Sequence, residues 1–306
     1  MKAIVQDVYG SADVLHLRDI DKPVVGDRDV LVQVRAAGVD PSVWHLMSGQ
    51  PYLIRLMGFG LRRPKHQVRG WDVAGTVEAV GGHVTRFRPG DEVFGSSDGG
   101  FAEYARAAED KIVTKPAAVS FEQAAALPTS AMTAVQALRD RGRLASGQHV
   151  LVIGAAGGVG TFAVQIAAAM GARVTGVCST AKMDLVRSIG AADVIDYTTD
   201  DFTDGTRRFD LILDNAGNRP LAALRRALTP AGTLVLIGGE GGGPWLAGLH
   251  RNIGAALLTP LVKQRLVGLF ARAKAADLEY IRDLVEAGKV TPVIDRTFPL
   301  AQAPEA

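Results

Sequence analysis

The sequence predicts an α/β protein in two parts, a strand-rich first part followed by one whose strands and helices alternate into a parallel sheet. Three observations predict it. Residues 1–120 read as strands and turns. From Ser120 onward, short apolar runs alternate with helix-like segments. A glycine-rich turn joins one of those runs to the segment after it. At 306 residues the chain is too long for one ordinary core and suits two domains.

Taken in order, the opening MKAIVQDVYG alternates as a strand does and lacks the apolar core of a secretory signal. Val30–Ala36 alternates, as does Asp72–Val80 around Gly75. Pro89-Gly90-Asp91 is turn chemistry leading into Glu92-Val93-Phe94, and Phe101–Ala105 follows a Gly-Gly turn. Pro51–Lys65 is a long connection with no clear period, and loops of that kind tend to bind ligands or act as lids. Ser120 with Gln123 fits a capping box, and Ala-rich helical sequence runs on through Arg141, interrupted at Pro128.

Beyond it come the strand Gln148–Ile153, the helix Gly158–Met170, the strand Arg173–Cys178 and the helix Ala181–Ile189. Strands Asp193–Ile195 and Phe209–Asp214, the helix Pro220–Leu228 and the strand Thr233–Gly238 complete the series. Such alternation implies right-handed βαβ units and a doubly wound parallel sheet covered on both faces.

Composition narrows the function. The chain is 47% hydrophobic and 22% charged, with 34 Lys and Arg against 32 Asp and Glu, a net charge of +2. That gives no general field for nucleic acid or an acidic membrane, so neither is expected as a partner. The single cysteine, Cys178, excludes an internal disulfide and a cysteine-rich zinc site. A cytoplasmic enzyme is the default. Val150–Ala172 is long and apolar enough to suggest a membrane span, but Gly154, Gly157, Gly158 and Gly160 divide it into a strand and a helix of small residues.

Ala155-Ala156-Gly157-Gly158-Val159-Gly160 follows a predicted strand and opens a predicted helix, the placement a dinucleotide fingerprint requires. Gly157 lets backbone approach a pyrophosphate, Gly160 lets the helix pack on the sheet, and the helix N-terminus favours phosphate. An acidic residue about 20 positions on would bind the ribose 2′-hydroxyl of NAD. Counting 19 from Gly160 lands on Ser179, where no carboxylate stands to repel a 2′-phosphate and where Lys182 is near to bind one. NADPH is expected in preference to NADH. Ser179 or Thr180 capping the next helix is the competing role, and the two are compatible.

Further motifs carry a resemblance. Ala37-Gly38-Val39-Asp40-Pro41, the run Gly70-Trp71-Asp72-Val73-Ala74-Gly75-Thr76-Val77-Glu78-Ala79-Val80-Gly81, Leu127-Pro128-Thr129 with Thr133-Ala134, the glycine turn and Asp196-Tyr197 together resemble the medium-chain dehydrogenase/reductase superfamily. The likeness is to its zinc-free, quinone-oxidoreductase-like branch. It implies a GroES-like β-barrel catalytic domain over 1–126 and 265–306, a Rossmann dinucleotide-binding domain over 127–264, and a cleft between them.

Residue by residue, it implies Thr133 near the nicotinamide and Ala156, Gly157, Gly158, Val159 and Gly160 at the pyrophosphate. Ser179, Lys182 and Tyr197 would surround the adenosine phosphate, with Gly238 and Phe270 beside the nicotinamide half. Lys182 stands one position from the usual basic residue. A homodimer paired through an edge strand would also fit the superfamily.

Zinc-dependent relatives carry a Cys after the early Gly and a His-Glu pair in the second motif. Here Val39 follows Gly38, and Trp71-Asp72 follow Gly70, so no zinc is expected. His45, His66 and His83 lack ligand spacing. The branch usually has Asn at Asp40 and an acid at Val43, and it continues beyond Ala306, so truncation of the C-terminal part is expected.

Without zinc, developing negative charge needs hydrogen-bond donors, which favours a small hydrophobic electrophile such as a quinone, enone or other activated carbonyl. Tyr52, 12 positions after Asp40, is the first candidate proton donor, with His45 and Asp40 as further catalytic candidates. Tyr52 anchoring its loop is an equal alternative, as is Trp44 serving the core instead of a substrate pocket. A protein that binds NADPH for regulation without significant turnover is the competing function.

Overall fold

A computed structural model describes residues 1–239 and 243–306. The chain divides into two compact units, Met1–Met132 with Ala273–Ala306, and Thr133–Arg272.

In the first unit, β1 (Lys2–Val5) pairs antiparallel with β2 (His16–Asp19). Five further strands, β3 (Asp29–Ala37), β4 (Asp72–Val80), β5 (Glu92–Ser96), β6 (Tyr104–Ala108) and β7 (Ile112–Thr114), form a curled antiparallel sheet in the order β6-β3-β4-β5-β7. This is the GroES-like domain. Its alternating sequences turn Val30, Val32, Val77, Val93 and Ile112 inward around Phe87.

A second cluster fixes the helix Pro41–Ser48, whose Val43 and Met47 pack with Ile4, Leu15 and Phe101. The helix Ala275–Glu286, not foreseen from the sequence, buries Leu278, Ile281, Leu284 and Val285 at helical spacing. Leu300 and Ala303, from the last turn of the chain, add to the Ile4 cluster.

The Pro51–Lys65 connection is an organised loop built on a π-helical turn at Arg55–Phe59. Arg55 holds it by donating from Nε to the Gly49 carbonyl at 2.9 Å while its guanidinium covers the rings of Tyr9 and Tyr52. The Tyr9 hydroxyl donates to the Gly60 carbonyl at 2.6 Å.

The second unit is the Rossmann domain. Its sheet contains β8 (His149–Ile153), β9 (Arg173–Cys178), β10 (Asp193–Asp196), β11 (Phe209–Asp214), β12 (Leu228–Leu236) and β13 (Arg265–Gly268). All pair in parallel, in the order β10-β9-β8-β11-β12-β13. β13 is a correction to the sequence reading, which placed 265–268 in the segment returning to the barrel. Thr233–Leu236 instead pairs residue by residue with Arg265–Gly268. Four residues led by an arginine carry too little alternation to be read as a strand.

The near-continuous apolar runs form a shared core in which Leu151, Ile153, Val177, Ile212 and Leu234 are buried, each stabilising the fold by about 1.5–3 kcal/mol. The apolar stretch 150–172 resolves into β8, a turn and the helix Gly158–Ala169. No helix among the described residues is long and apolar enough to cross a membrane. The chain enters the sheet at β8, runs outward to β10, then returns to β11 on the other side of β8. Direction reverses between β8 and β11, which opens a crevice at their carboxyl ends.

Candidate functional site

Along the carboxyl edge of the parallel sheet, each strand delivers a residue singled out in the sequence, apart from β11. Tyr197 follows β10, Ser179 follows β9, the glycine turn follows β8, Gly238 lies beyond β12 and Phe270 beyond β13. Thr133 is buried within the helix Pro128–Val135.

The turn after β8 has its two sides differentiated by packing. Gly154 adopts a left-handed conformation with φ +74°, and Ala155 N–H bonds to the Val177 carbonyl at 3.0 Å, tying the turn to β9. Gly160 is buried, and a Cβ there would lie 2.0 Å from the Gly154 carbonyl oxygen. Gly157 and Gly158 are exposed, and a Cβ on Gly157 would meet protein no closer than 3.5 Å. Gly157 is the N-cap of the helix and receives no side-chain cap. Among the described residues no hydrogen bond satisfies the N–H groups of Gly158, Val159 and Gly160, which suits an external anionic acceptor.

The next turn is more occupied than the sequence implies. Ala181–Ile189 is a 3₁₀ turn at Thr180–Lys182 followed by the helix Met183–Ser188, and Ser179 makes no side-chain capping bond. Thr180 donates its hydroxyl to Asp196, which also accepts from the Thr198 N–H at 2.9 Å and the Thr198 hydroxyl at 2.7 Å. These bonds hold the Asp196 carboxyl below the usual range. A carboxylate therefore does stand beside Ser179, brought there by the pairing of Asp196 with Cys178. Its oxygens are engaged by the two threonines. Lys182 is exposed and Tyr197 half-exposed at this corner.

Asn215 fills the place after β11 that sequence reasoning left blank. Its Nδ2 donates to the Ile153 carbonyl at 2.9 Å, closing the end of β8, while its buried Oδ1 has no partner among the described residues. The polar pair Asp214-Asn215 directly after an apolar strand is the signal that marks it. Gly238 abuts the same residue: a Cβ there would meet the Asn215 carbonyl oxygen.

In the first unit, Asp40 caps the helix Pro41–Ser48 by accepting the Ser42 N–H at 2.8 Å through Oδ1. Its buried Oδ2 has no partner among the described residues, and burial raises its pKa against the opposing influence of Ser42 and His45. His45 Nδ1 lies 2.8 Å from the Gln50 carbonyl, which can only accept, so that nitrogen carries the proton. Tyr52 lies under the Arg55 guanidinium at 4.7 Å, an anchoring contact. Trp44 is half-exposed and packs edge-on against His45.

Asp72 was not among the candidate site residues. It accepts from the Thr129 N–H at 2.7 Å and the Thr129 hydroxyl at 2.8 Å, and burial with the nearby Asp40 charge pushes it up to about 8. Among the described residues, no three His, Cys, Asp or Glu side chains are grouped to hold a metal ion.

Comparison with known proteins agrees with this architecture. A sequence profile described as an alcohol dehydrogenase GroES-like domain matches residues 26–117, and one described as a zinc-binding dehydrogenase matches 189–306. The mitochondrial NAD(P)H oxidoreductase RTN4IP1 of Mus musculus is 34% identical over the whole chain and 85% of its own length. The quinone oxidoreductase of Homo sapiens is 32% identical over the whole chain and 92% of its length. The solved quinone oxidoreductase of Coxiella burnetii superposes with a TM-score of 0.85 at 29% identity, covering all of this chain and 93% of that one.

Proposed function

The chain belongs to the medium-chain dehydrogenase/reductase superfamily, in its quinone-oxidoreductase-like branch, and we propose on that basis that it reduces quinones, enones or similar activated carbonyls with NADPH and without zinc. It is an NAD(P)H oxidoreductase; the cofactor preference, the metal independence and the substrate class are the proposal. The observation that carries it is the turn after β8, with an uncapped helix N-terminus behind two exposed glycines.

When bound, the nicotinamide ring supplies the hydride. The chain binds and orients. Backbone N–H groups of the Gly157–Gly160 turn receive the pyrophosphate, and Ser179, Lys182 and Tyr197 receive the 2′-phosphate. The positions after Gly38 and Gly70 hold Val39, Trp71 and Asp72, which lack the soft donors of a zinc centre. Charge on the reduced oxygen must then be met by a proton. Tyr52, whose ring Arg55 covers, is the first candidate for that proton, with His45 and Asp40 as further candidates. The relatives compared are named as oxidoreductases, which gives the regulatory alternative no support.

NADPH consumption against a panel of quinones and enones tests the reading, and tight NADPH binding with no turnover of any of them would refute it. Tyr52→Phe keeps the ring under Arg55 but removes the hydroxyl, so kcat falls by about 10²–10⁴. Ser179→Asp places a carboxylate against the 2′-phosphate and shifts the NADPH/NADH affinity ratio toward NADH by about tenfold or more. An unchanged ratio would make Ser179 a bystander.

A further inference from the structure

The first unit contains a cavity of about 980 Å³ along the end of the Pro51–Lys65 loop and the segment after it. Five basic side chains within eight residues line it: Arg62, Arg63, Lys65, His66 and Arg69. Two acids line it as well, but each is already paired with an arginine outside the lining, Asp7 with Arg18 at 2.7 Å and Asp98 with Arg106 at 3.0 Å. Among the described residues, none of the five basic side chains has a carboxylate within ion-pairing distance. The cavity wall is therefore cationic and uncompensated.

Arg69 decides what this means. It is 6% exposed, its Nη2 donates to the His66 carbonyl, and its buried Nε has no partner among the described residues. Burial lowers its pKa only to about 10, so the guanidinium is charged at neutral pH. A buried charge without a counter-ion opposes folding. Arg69 lines the open cavity and carries a charge that no carboxylate among the described residues neutralises, the arrangement expected where a ligand supplies the missing anion. The rest of the lining includes Val43, Leu46, Leu61, Val68 and Trp71, which suits an apolar body.

We propose that this cavity binds an apolar molecule through a carboxylate or phosphate held by Arg69, and that the substrate of the reduction carries such a group. The second half rests on the function proposed above; the first does not.

Titration calorimetry on the full chain, with NADPH present to fill the dinucleotide turn, compares decanoate, decyl phosphate and the neutral decanamide. At least one anion binds about tenfold or more tightly than the amide, and Arg69→Gln removes most of that difference. The decanoate and decyl phosphate arms show which anionic group is preferred. Equal binding of the amide and both anions overturns the proposal, as does a preference that survives Arg69→Gln.

Because Arg69 is buried, the exposed pair Arg62→Gln and Arg63→Gln provides a second variant that weakens anion binding in a chain of unchanged Tm. Unweakened binding there overturns the claim that the cationic wall recognises the anion.

A carboxylate-bearing enone and its methyl ester test the substrate claim through their ratio of kcat/KM, which favours the acid and drops in Arg69→Gln. An ester used as well as the acid refutes that claim alone. No turnover of either refutes the substrate claim when members of the quinone and enone panel are turned over, and the function proposed above when none is, and leaves the calorimetric result standing.

Discussion

At Gly160 a methyl group would lie 2.0 Å from the Gly154 carbonyl, whereas at Gly157 the nearest atom is that same oxygen at 3.5 Å. Gly160→Ala should therefore lower the Tm, at a cost of about 1–3 kcal/mol from overpacking against backbone. Gly157→Ala should leave the Tm unchanged or slightly raised and weaken NADPH binding by about tenfold. Thermal unfolding with and without NADPH checks both, and a Gly157 variant that binds normally would remove that residue from the site.

Asp72 makes a pH prediction. A carboxyl pushed up to about 8 in the fold binds its proton more tightly folded than unfolded, where its pKa is about 3.9. Its stabilising contribution is present below the unfolded value and lost as pH rises toward 8. The Tm of Asp72→Asn relative to wild type should therefore climb between pH 5 and pH 8, and a constant offset would contradict this. Asp72 and Thr129 are 57 positions apart, as the Arg69 cavity is assembled from Asp7 to Gly99. No local pattern announces such contacts. The glycine turn was legible because strand, turn and helix are contiguous.

Among elements, the end of β11 is tied to the helix Leu249–Leu258 by a buried ion pair, Arg251 to Asp214 at 2.6 Å. Asp214 also accepts the Gly217 N–H at 3.0 Å, and Arg251 donates to the Arg219 carbonyl at 2.9 Å. Removing either partner leaves the other charged and buried. Asp214→Leu or Arg251→Met alone should cost about 3–5 kcal/mol, and the double replacement should recover much of that. A denaturant-unfolding cycle measures the coupling, and additive losses would mean the pair does not act as one unit. This pairing was invisible in the sequence, as was β13, whose RLVG run has no period of its own and is recognised only against β12. The strands of the parallel sheet were read because their apolar runs are bounded by glycine. The 3₁₀ turn at Thr180–Lys182 was merged into a helix because Ala181 and Lys182 favour both conformations.

At the scale of the whole molecule, balanced charge and a two-part division followed from composition and length, and the family followed from motifs spread over nearly the entire chain. The barrel unit is discontinuous, made of Met1–Met132 and Ala273–Ala306. Ile4 and Leu15, near the start, share a cluster with Leu300 and Ala303, near the end. On a ribosome the early members of that cluster emerge long before Leu300 and Ala303. The intervening Thr133–Arg272 unit comprises 140 residues, counted as 272 − 133 + 1. At roughly 5–20 residues per second, its synthesis imposes a wait on the order of ten seconds. Throughout that interval the face of Ile4, Val43 and Phe101 lacks Leu300 and Ala303, whereas the later unit has every strand of its sheet by Gly268. The nucleotide domain is therefore expected to mature first, leaving an unfinished barrel as the natural client for a chaperone.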